Sequence, residues 1–207
     1  GVEVNALTKA LGTPLIVYDE GALEKRLSEF KQSFSHPCFE TQVIYAGKAF
    51  SCTAMLKLVK NAGCGLDVVS GGELAAAMHA GFPAEKIVFH GNNKTPDEIR
   101  QAITLGVGTI IADGEMELDE VIRAARELKT KTSVIVRVNP GIEADTHQYI
   151  ITANSDSKFG VSIYERETIL KMIKAVSECE YLDFQGIHIH IGSQIFGIDP
   201  FIASIRK

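Results

Sequence analysis

Lys48 closes the run Val43-Ile44-Tyr45-Ala46-Gly47, placing an amine where an apolar strand would ordinarily continue with another aliphatic side chain. Burial disfavours an ammonium, so a lysine in a low-dielectric pocket has its neutral amine available near neutral pH and can condense with a carbonyl compound. A strand-end lysine can equally keep its ammonium in water. Four further strand-like runs end in Asp67, His90, Asp113 and Arg137, and a last one carries His188 and His190. In Ile187-His188-Ile189-His190-Ile191 the two-residue period of a strand sends both imidazoles to one face and the isoleucines to the other. Such histidines are either core residues with satisfied nitrogens or half of a transition-metal site, for which His90, Asp67 or Asp113 would have to supply the remaining ligands. Gly186, Gly192 and Ser193 flank this strand and offer backbone N–H groups and a hydroxyl suited to an anion such as phosphate. Arg137 is always charged and needs an anionic partner, whether structural or part of a ligand. Asp67 either caps the next helix or touches a ligand, and Asp113 is expected to cap the helix that follows it.

The spacing of these residues matches one strand plus one helix. Pro14 to Tyr18 reads as a first short strand, followed by a helix with Leu23, Leu27 and Phe30 on one face. Strands then alternate with helices: Val43 to Ala46, Leu66 to Val69, Ile87 to Phe89, Thr109 to Ala112, Val134 to Val138 and Phe184 to Ile191. The intervening helices carry stripes such as Met55-Leu58-Val59, Ile99-Ala102-Ile103 and Leu118-Val121-Ile122-Ala125-Leu128. Thr95-Pro96-Asp97-Glu98 is a strong helix start, with a hydroxyl to cap, a proline at the first turn and a glutamate able to reach back. Repeated strand-helix units build a parallel sheet with every strand C-terminus on one rim, so the polar strand-end residues would converge. The fold class is α/β, either a (β/α) barrel or an open doubly wound sheet. A barrel wants eight strands and about six are present, so the chain is expected to be the first part of a longer protein. Residues 140–160 form a longer connection than strand-helix units usually need, which marks a functional loop.

With 207 residues, 45% hydrophobic and 23% charged, the chain is large enough for a substantial core. A net charge of −5 speaks against a broad electrostatic grip on nucleic acid or anionic lipid. No apolar stretch reaches the roughly 20 residues of a membrane helix, and the N-terminus lacks the blocks of a secretory signal, so a cytoplasmic location is expected. Cys38, Cys52, Cys64 and Cys179 are scattered, without paired spacing.

Taken together, Tyr45-Ala46-Gly47-Lys48-Ala49, Gly65-Leu66-Asp67-Val68-Val69-Ser70-Gly71-Gly72-Glu73-Leu74 and His90-Gly91-Asn92-Asn93-Lys94 resemble the diaminopimelate decarboxylase family. Arg137-Val138-Asn139-Pro140-Gly141, Ser157-Lys158-Phe159-Gly160 and Gly186-Ile187-His188-Ile189-His190-Ile191-Gly192-Ser193-Gln194 continue the resemblance in the family's order. It implies a (β/α)8 TIM-type barrel of the alanine racemase kind, incomplete here, over residues 21–207. Residues 1–20 would contribute their strand to a separate β-domain. It further implies pyridoxal 5′-phosphate as cofactor, Lys48 as its Schiff-base lysine, His190 stacked on the pyridine ring and Ser193 near the phosphate. Asp67 and Arg137 would lie in the surrounding shell, and no metal is assigned. The implied reaction is decarboxylation of meso-diaminopimelate to lysine by a homodimer of the full-length protein, with 146–149 in a loop near the site entrance. Other readings stay open: a decarboxylase of ornithine, arginine or carboxynorspermidine, a non-catalytic barrel that binds pyridoxal phosphate, or a metal-dependent hydrolase using His188 and His190. The acidic partner of the pyridine nitrogen and the substrate-gripping residues would lie beyond Lys207, so the chain alone is expected to be nearly inactive.

Overall fold

The computed structural model of the chain describes residues 1–142, 159–192 and 195–207. The chain forms two compact units, Gly1–Val43 and Ile44–Lys207. The first contains helices α1 (Val4–Leu11) and α2 (Glu20–Ser33), with the Asp19 side chain accepting from the Ala22 amide at 2.9 Å to start the second. Leu27 is the buried member of the expected α2 stripe, whereas Phe30 stays half exposed. Residues 14–18, expected as a strand, take no regular structure, and Ile16 and Val17 are exposed. A strand is completed only by a neighbour that accepts and donates its ladder bonds. This unit holds helices and one isolated bridge, His36 to Phe39, and no second strand.

The second unit is the strand-helix series. Its strands are β1 (Ile44–Ala46), β2 (Gly65–Val68), β3 (Ile87–Phe89), β4 (Thr109–Ala112), β5 (Thr132–Asn139), β6 (Val161–Ser162) and β7 (Leu182–Ile189). Its helices are α3 (Thr53–Asn61), α4 (Gly71–His79), α5 (Pro96–Leu105), α6 (Glu115–Leu128), α7 (Arg166–Ser177) and α8 (Asp199–Arg206). Every pairing is parallel, in the order β1-β2-β3-β4-β5-β7, with two-residue β6 alongside the end of β5. A doubly wound sheet reverses direction at a switch point, and here each strand is added on the same side. The order is therefore that of a barrel wall. The connecting helices cover one face, where the fully buried Leu56, Val59, Leu74, Ile99, Leu118 and Val176 pack with strand residues Leu66, Ile87, Phe89, Ile110, Val134 and Val136. Each of these aliphatic side chains contributes about 1.5–3 kcal/mol by leaving water.

The pleat of β5 separates two environments: Val134, Val136 and Val138 are buried under the helices, while Ile135, Arg137 and Asn139 are half-buried on the opposite face. That opposite face carries the polar rim. On β7 the register against β5 slips by one residue, Phe184 pairing with Val134 and Gly186 with Ile135. Gly186 takes φ +135° at this bulge, a conformation that side-chain-bearing residues rarely adopt. The slip leaves His188 directly beside Arg137.

Candidate active site

The strand ends do converge. His90 follows β3 and His188 lies on β7, two strands further along the ladder than a neighbour, yet their rings meet edge-to-face with centroids 4.3 Å apart. In a flat sheet, side chains three strand intervals apart would stand about 14 Å from one another. The contact therefore requires the sheet to curl about its polar face. Asp67, from β2, approaches the same pair, its Oδ1 lying 3.2 Å from His90 Nδ1. That approach is close enough for an ion pair but not aligned as a hydrogen bond. Asp67 Oδ1, His90 Nε2 and His188 Nδ1 are consequently buried without a hydrogen-bond partner among the described residues. Buried polar atoms in such a state mark a place where water or a ligand completes the bonding.

Gly91 makes this turn possible. It has φ +103°, and a Cβ there would stand 2.8 Å from the Val69 carbonyl oxygen. The His90 amide donates to the Val68 carbonyl at 2.7 Å, so the backbones of β2 and the β3 exit are in direct contact.

Lys48 lies in a short 3-10 turn, Gly47–Ala49, at the end of β1, and its side chain is exposed rather than enclosed in a low-dielectric pocket. Its ammonium acts on His190, just past β7. Partial burial holds His190 below the ordinary histidine range, and Lys48, Arg137 and His90 reinforce the shift while Asp67 opposes it. His188 is pushed down to about 3, by burial first and then by His90, Arg137 and His190. Both imidazoles are thus neutral near neutral pH. Beside His190, a hollow of about 180 Å³ is lined by Ile189, Phe201, Ser204 and Ile205, where α8 packs against the end of β7.

Arg137 finds the anionic partner it needs in Asp113. Its guanidinium donates to Asp113 Oδ1 at 2.6 Å, with both side chains nearly buried, and sits 4.9 Å from the centre of the Phe159 ring. Asp113 Oδ2 accepts from the Gly160 amide at 3.0 Å. The expectation that Asp113 caps the next helix is therefore corrected: Gly114 occupies the cap position of α6, and Glu117 reaches back to the Asp113 amide at 3.1 Å. An arginine opposite Asp113 on the neighbouring strand outcompetes the helix end for its carboxylate, because a charge-assisted bond exceeds a neutral one.

Lys94 and Glu117, which the sequence does not single out, form a buried pair behind this rim. Lys94 Nζ contacts Glu117 Oε1 at 2.7 Å, the Gly91 carbonyl at 2.6 Å and the Ile111 carbonyl at 2.9 Å, and its side chain has no exposed surface. All three ammonium donors are thereby used. Burial pulls the Lys94 ammonium below its ordinary value and pushes the Glu117 carboxyl above its own, while their mutual contact opposes both shifts. Lys94 belongs to the His90-Gly91-Asn92-Asn93-Lys94 motif, but no local pattern shows which carboxylate it meets.

Ser193 and residues 143–158, with the entrance-loop segment 146–149, lie outside the described residues. Among the described residues no three His, Cys, Asp or Glu side chains form a metal-holding group, and no helix is long and apolar enough to cross a membrane.

The geometry thus gathers an amine, a neutral histidine, orphaned buried polar atoms and a clamped arginine on one barrel rim. Residues 20–207 match the family described as "Pyridoxal-dependent decarboxylase, pyridoxal binding domain". The chain belongs to the pyridoxal-dependent decarboxylases. Among relatives of this family, diaminopimelate decarboxylase of Bacillus subtilis is 43% identical over 207 residues, which are 100% of this chain and 47% of that protein. The crystal structure of diaminopimelate decarboxylase from M. jannaschii superposes with a TM-score of 0.87 at 38% identity, covering 99% of this chain and 48% of that one. The Helicobacter pylori diaminopimelate decarboxylase complexed with L-lysine gives 0.87 at 33% identity, covering 98% and 50%. The chain spans about half the length of the curated relatives it matches. TIM-barrel-type decarboxylases thus share this architecture, and within it the pyridoxal-binding family domain accounts for the barrel wall.

Proposed function

We propose that this chain supplies the pyridoxal phosphate-binding barrel of a decarboxylase acting on meso-diaminopimelate and yielding lysine. The observation that carries this is the placement of Lys48: in a domain of a pyridoxal-binding family, it is an accessible amine at a strand end whose charge reaches His190. The residues fit the cofactor. Lys48 offers its nucleophilic amine at an open rim, as a covalent partner for an aldehyde must. The orphaned Asp67 Oδ1, His90 Nε2 and His188 Nδ1 leave donors and acceptors for a polar ligand or its waters. His190, neutral near neutral pH, presents an uncharged ring suited to stacking on an aromatic heterocycle.

Pyridoxal phosphate, when bound, supplies the electron sink for the bond broken as carbon dioxide leaves. The chain's own residues do the positioning. Lys48 Nζ would hold the cofactor through its aldehyde carbon and so fix one end of the site. Arg137, held by Asp113, presents fixed positive charge on the same rim without being able to lose its proton. Ser193 would assist at the phosphate. Diaminopimelate is favoured over ornithine or arginine because relatives at about 40% identity over this whole chain carry that name, and L-lysine in the Helicobacter pylori structure is the corresponding product. A homodimer of the full-length protein, with residues 1–20 contributing to a β-domain, completes the proposal.

The test is borohydride reduction of the full-length protein incubated with pyridoxal phosphate, followed by peptide mass spectrometry. A pyridoxyl group on the Lys48 peptide, lost in Lys48→Ala together with lysine formation from diaminopimelate, is the expected result. Label on another lysine, or undiminished turnover in Lys48→Ala, overturns the proposal.

A further inference from the structure

Resting on the preceding reading only for what Arg137 faces, we propose that the buried Lys94–Glu117 pair is a positioning device. It holds the Asp113 turn, and through Asp113 the Arg137 guanidinium, beside His188 and His190. The contacts form one continuous chain. Lys94 Nζ ties the Gly91 and Ile111 carbonyls to Glu117 Oε1, Glu117 Oε1 accepts from the Asp113 amide, and Asp113 Oδ1 accepts from Arg137. The exits of β3, β4 and β5 are thus coupled through two adjoining ion pairs, each at most 12% exposed.

Stability alone does not explain ions in this place, because well-packed apolar side chains of similar volume serve a core as well or better. What apolar side chains cannot do is accept from the Asp113 amide and so fix the carboxylate that clamps Arg137. The consequence reaches the rim: the Arg137 charge is among the causes that hold both His188 and His190 down, alongside His90 and, for His190, Lys48, with Asp67 opposing.

The experiment uses the full-length protein and two readouts, NMR titration of the imidazoles without cofactor and equilibrium binding of pyridoxal 5′-phosphate. In Lys94→Met/Glu117→Leu, which removes both ions together and strands no charge, His190 should titrate about half a pH unit or more higher as Arg137 is released. Cofactor affinity should fall about tenfold, the lower end of what loss of an outer-shell partner costs at bound metal sites. Arg137→Met should move His190 in the same direction, and in the double variant background it should add clearly less than its effect alone. Glu117→Gln keeps an acceptor for the Asp113 amide but strands the Lys94 ammonium, so it should lose stability while shifting His190 less than the double variant does. If the double variant does not fold, Glu117→Asp, a carboxylate withdrawn by one methylene, must shift His190 in the same sense. Wild-type titration and affinity in the folded variants, or effects fully additive with Arg137→Met, overturn the proposal. Should the wild type itself take up no cofactor, the functional reading fails separately and the titration arm still decides this one.

Discussion

Asp113→Ala isolates the clamp on Arg137. The substitution removes the partner of a guanidinium that is 12% exposed, from a carboxylate that is 10% exposed, at a separation of 2.6 Å. Leaving one member of a buried pair uncompensated costs about 3–5 kcal/mol. The lost bond from the Gly160 amide adds about 1 kcal/mol. Partial relaxation of Arg137 toward water offsets some of this, so about 4 kcal/mol is the working value, a large share of a domain stability of about 5–15 kcal/mol. With a urea m-value of about 2 kcal/mol/M, the unfolding midpoint should fall by about 2 M with the slope unchanged. The assay is urea unfolding followed by far-ultraviolet circular dichroism and by tyrosine fluorescence. Arg137→Met/Asp113→Leu should recover most of the loss, since no charge is then stranded. As a control, Lys171→Met breaks the exposed ion pair of Lys171 with Glu115 and should leave the midpoint in place. An Asp113→Ala shift below about 0.5 M would place the clamp among surface ion pairs and refute the reasoning.

Four other outcomes follow from neighbouring contacts. His188 has its folded pKa pushed down to about 3. The unfolded chain therefore binds a proton that the folded chain refuses between pH 3 and about 6.5, so stability is full above that window and declines as pH falls through it, by up to about 1.4 kcal/mol per pH unit. His188→Gln should flatten this slope, measured as unfolding midpoint against pH. Thr95 accepts from the Glu98 amide while Glu98 accepts from the Thr95 amide, a closed capping box, and Thr95→Ala should cost about 1 kcal/mol by chemical denaturation. Backbone donors Thr95 and Gly71 hold the Glu98 carboxyl below its ordinary range. Its contribution is present above about pH 4.3 and lost as pH falls through the depressed folded value, a loss that Glu98→Gln should abolish. Gly91→Ala meets both a left-handed backbone and the Val69 carbonyl at 2.8 Å, and should lower the midpoint by the equivalent of about 2 kcal/mol or more.

The polar rim was legible because parity and punctuation are local properties. A strand followed by a helix fixes which end of the strand meets the loop, and the pleat then fixes which face each side chain takes. Lys48, Asp67, His90, Arg137 and His188 could therefore be assigned to one rim from the sequence. Their exposure could not. Lys48 stands in water, one of the two placements its run left open, because a strand of three residues ends before the lysine and a 3-10 turn follows. Residues 14–18 are unpaired here for a related reason: apolar composition makes a segment fit for a sheet, but the sheet must supply a neighbour.

Pairing is where local information ends. Glu73, Glu98 and Glu117 occupy the third position of α4, α5 and α6, the place from which a carboxylate can reach back over the helix start. Each does reach back, Glu73 and Glu117 to the amide before the cap and Glu98 to the cap itself. Glu73 accepts from Val69 at 2.7 Å, Glu98 from its own cap and from Gly71 at 2.6 Å across a neighbouring unit, and Glu117 from Asp113 at 3.1 Å. One rule of helix starts therefore predicts the residue type and the direction of the side chain. What the carboxylate then joins depends on which loop the barrel's curvature brings against it. For Glu117 that neighbour is Lys94, and the pair converts a routine helix-start contact into a link between the buried interior and the charged rim.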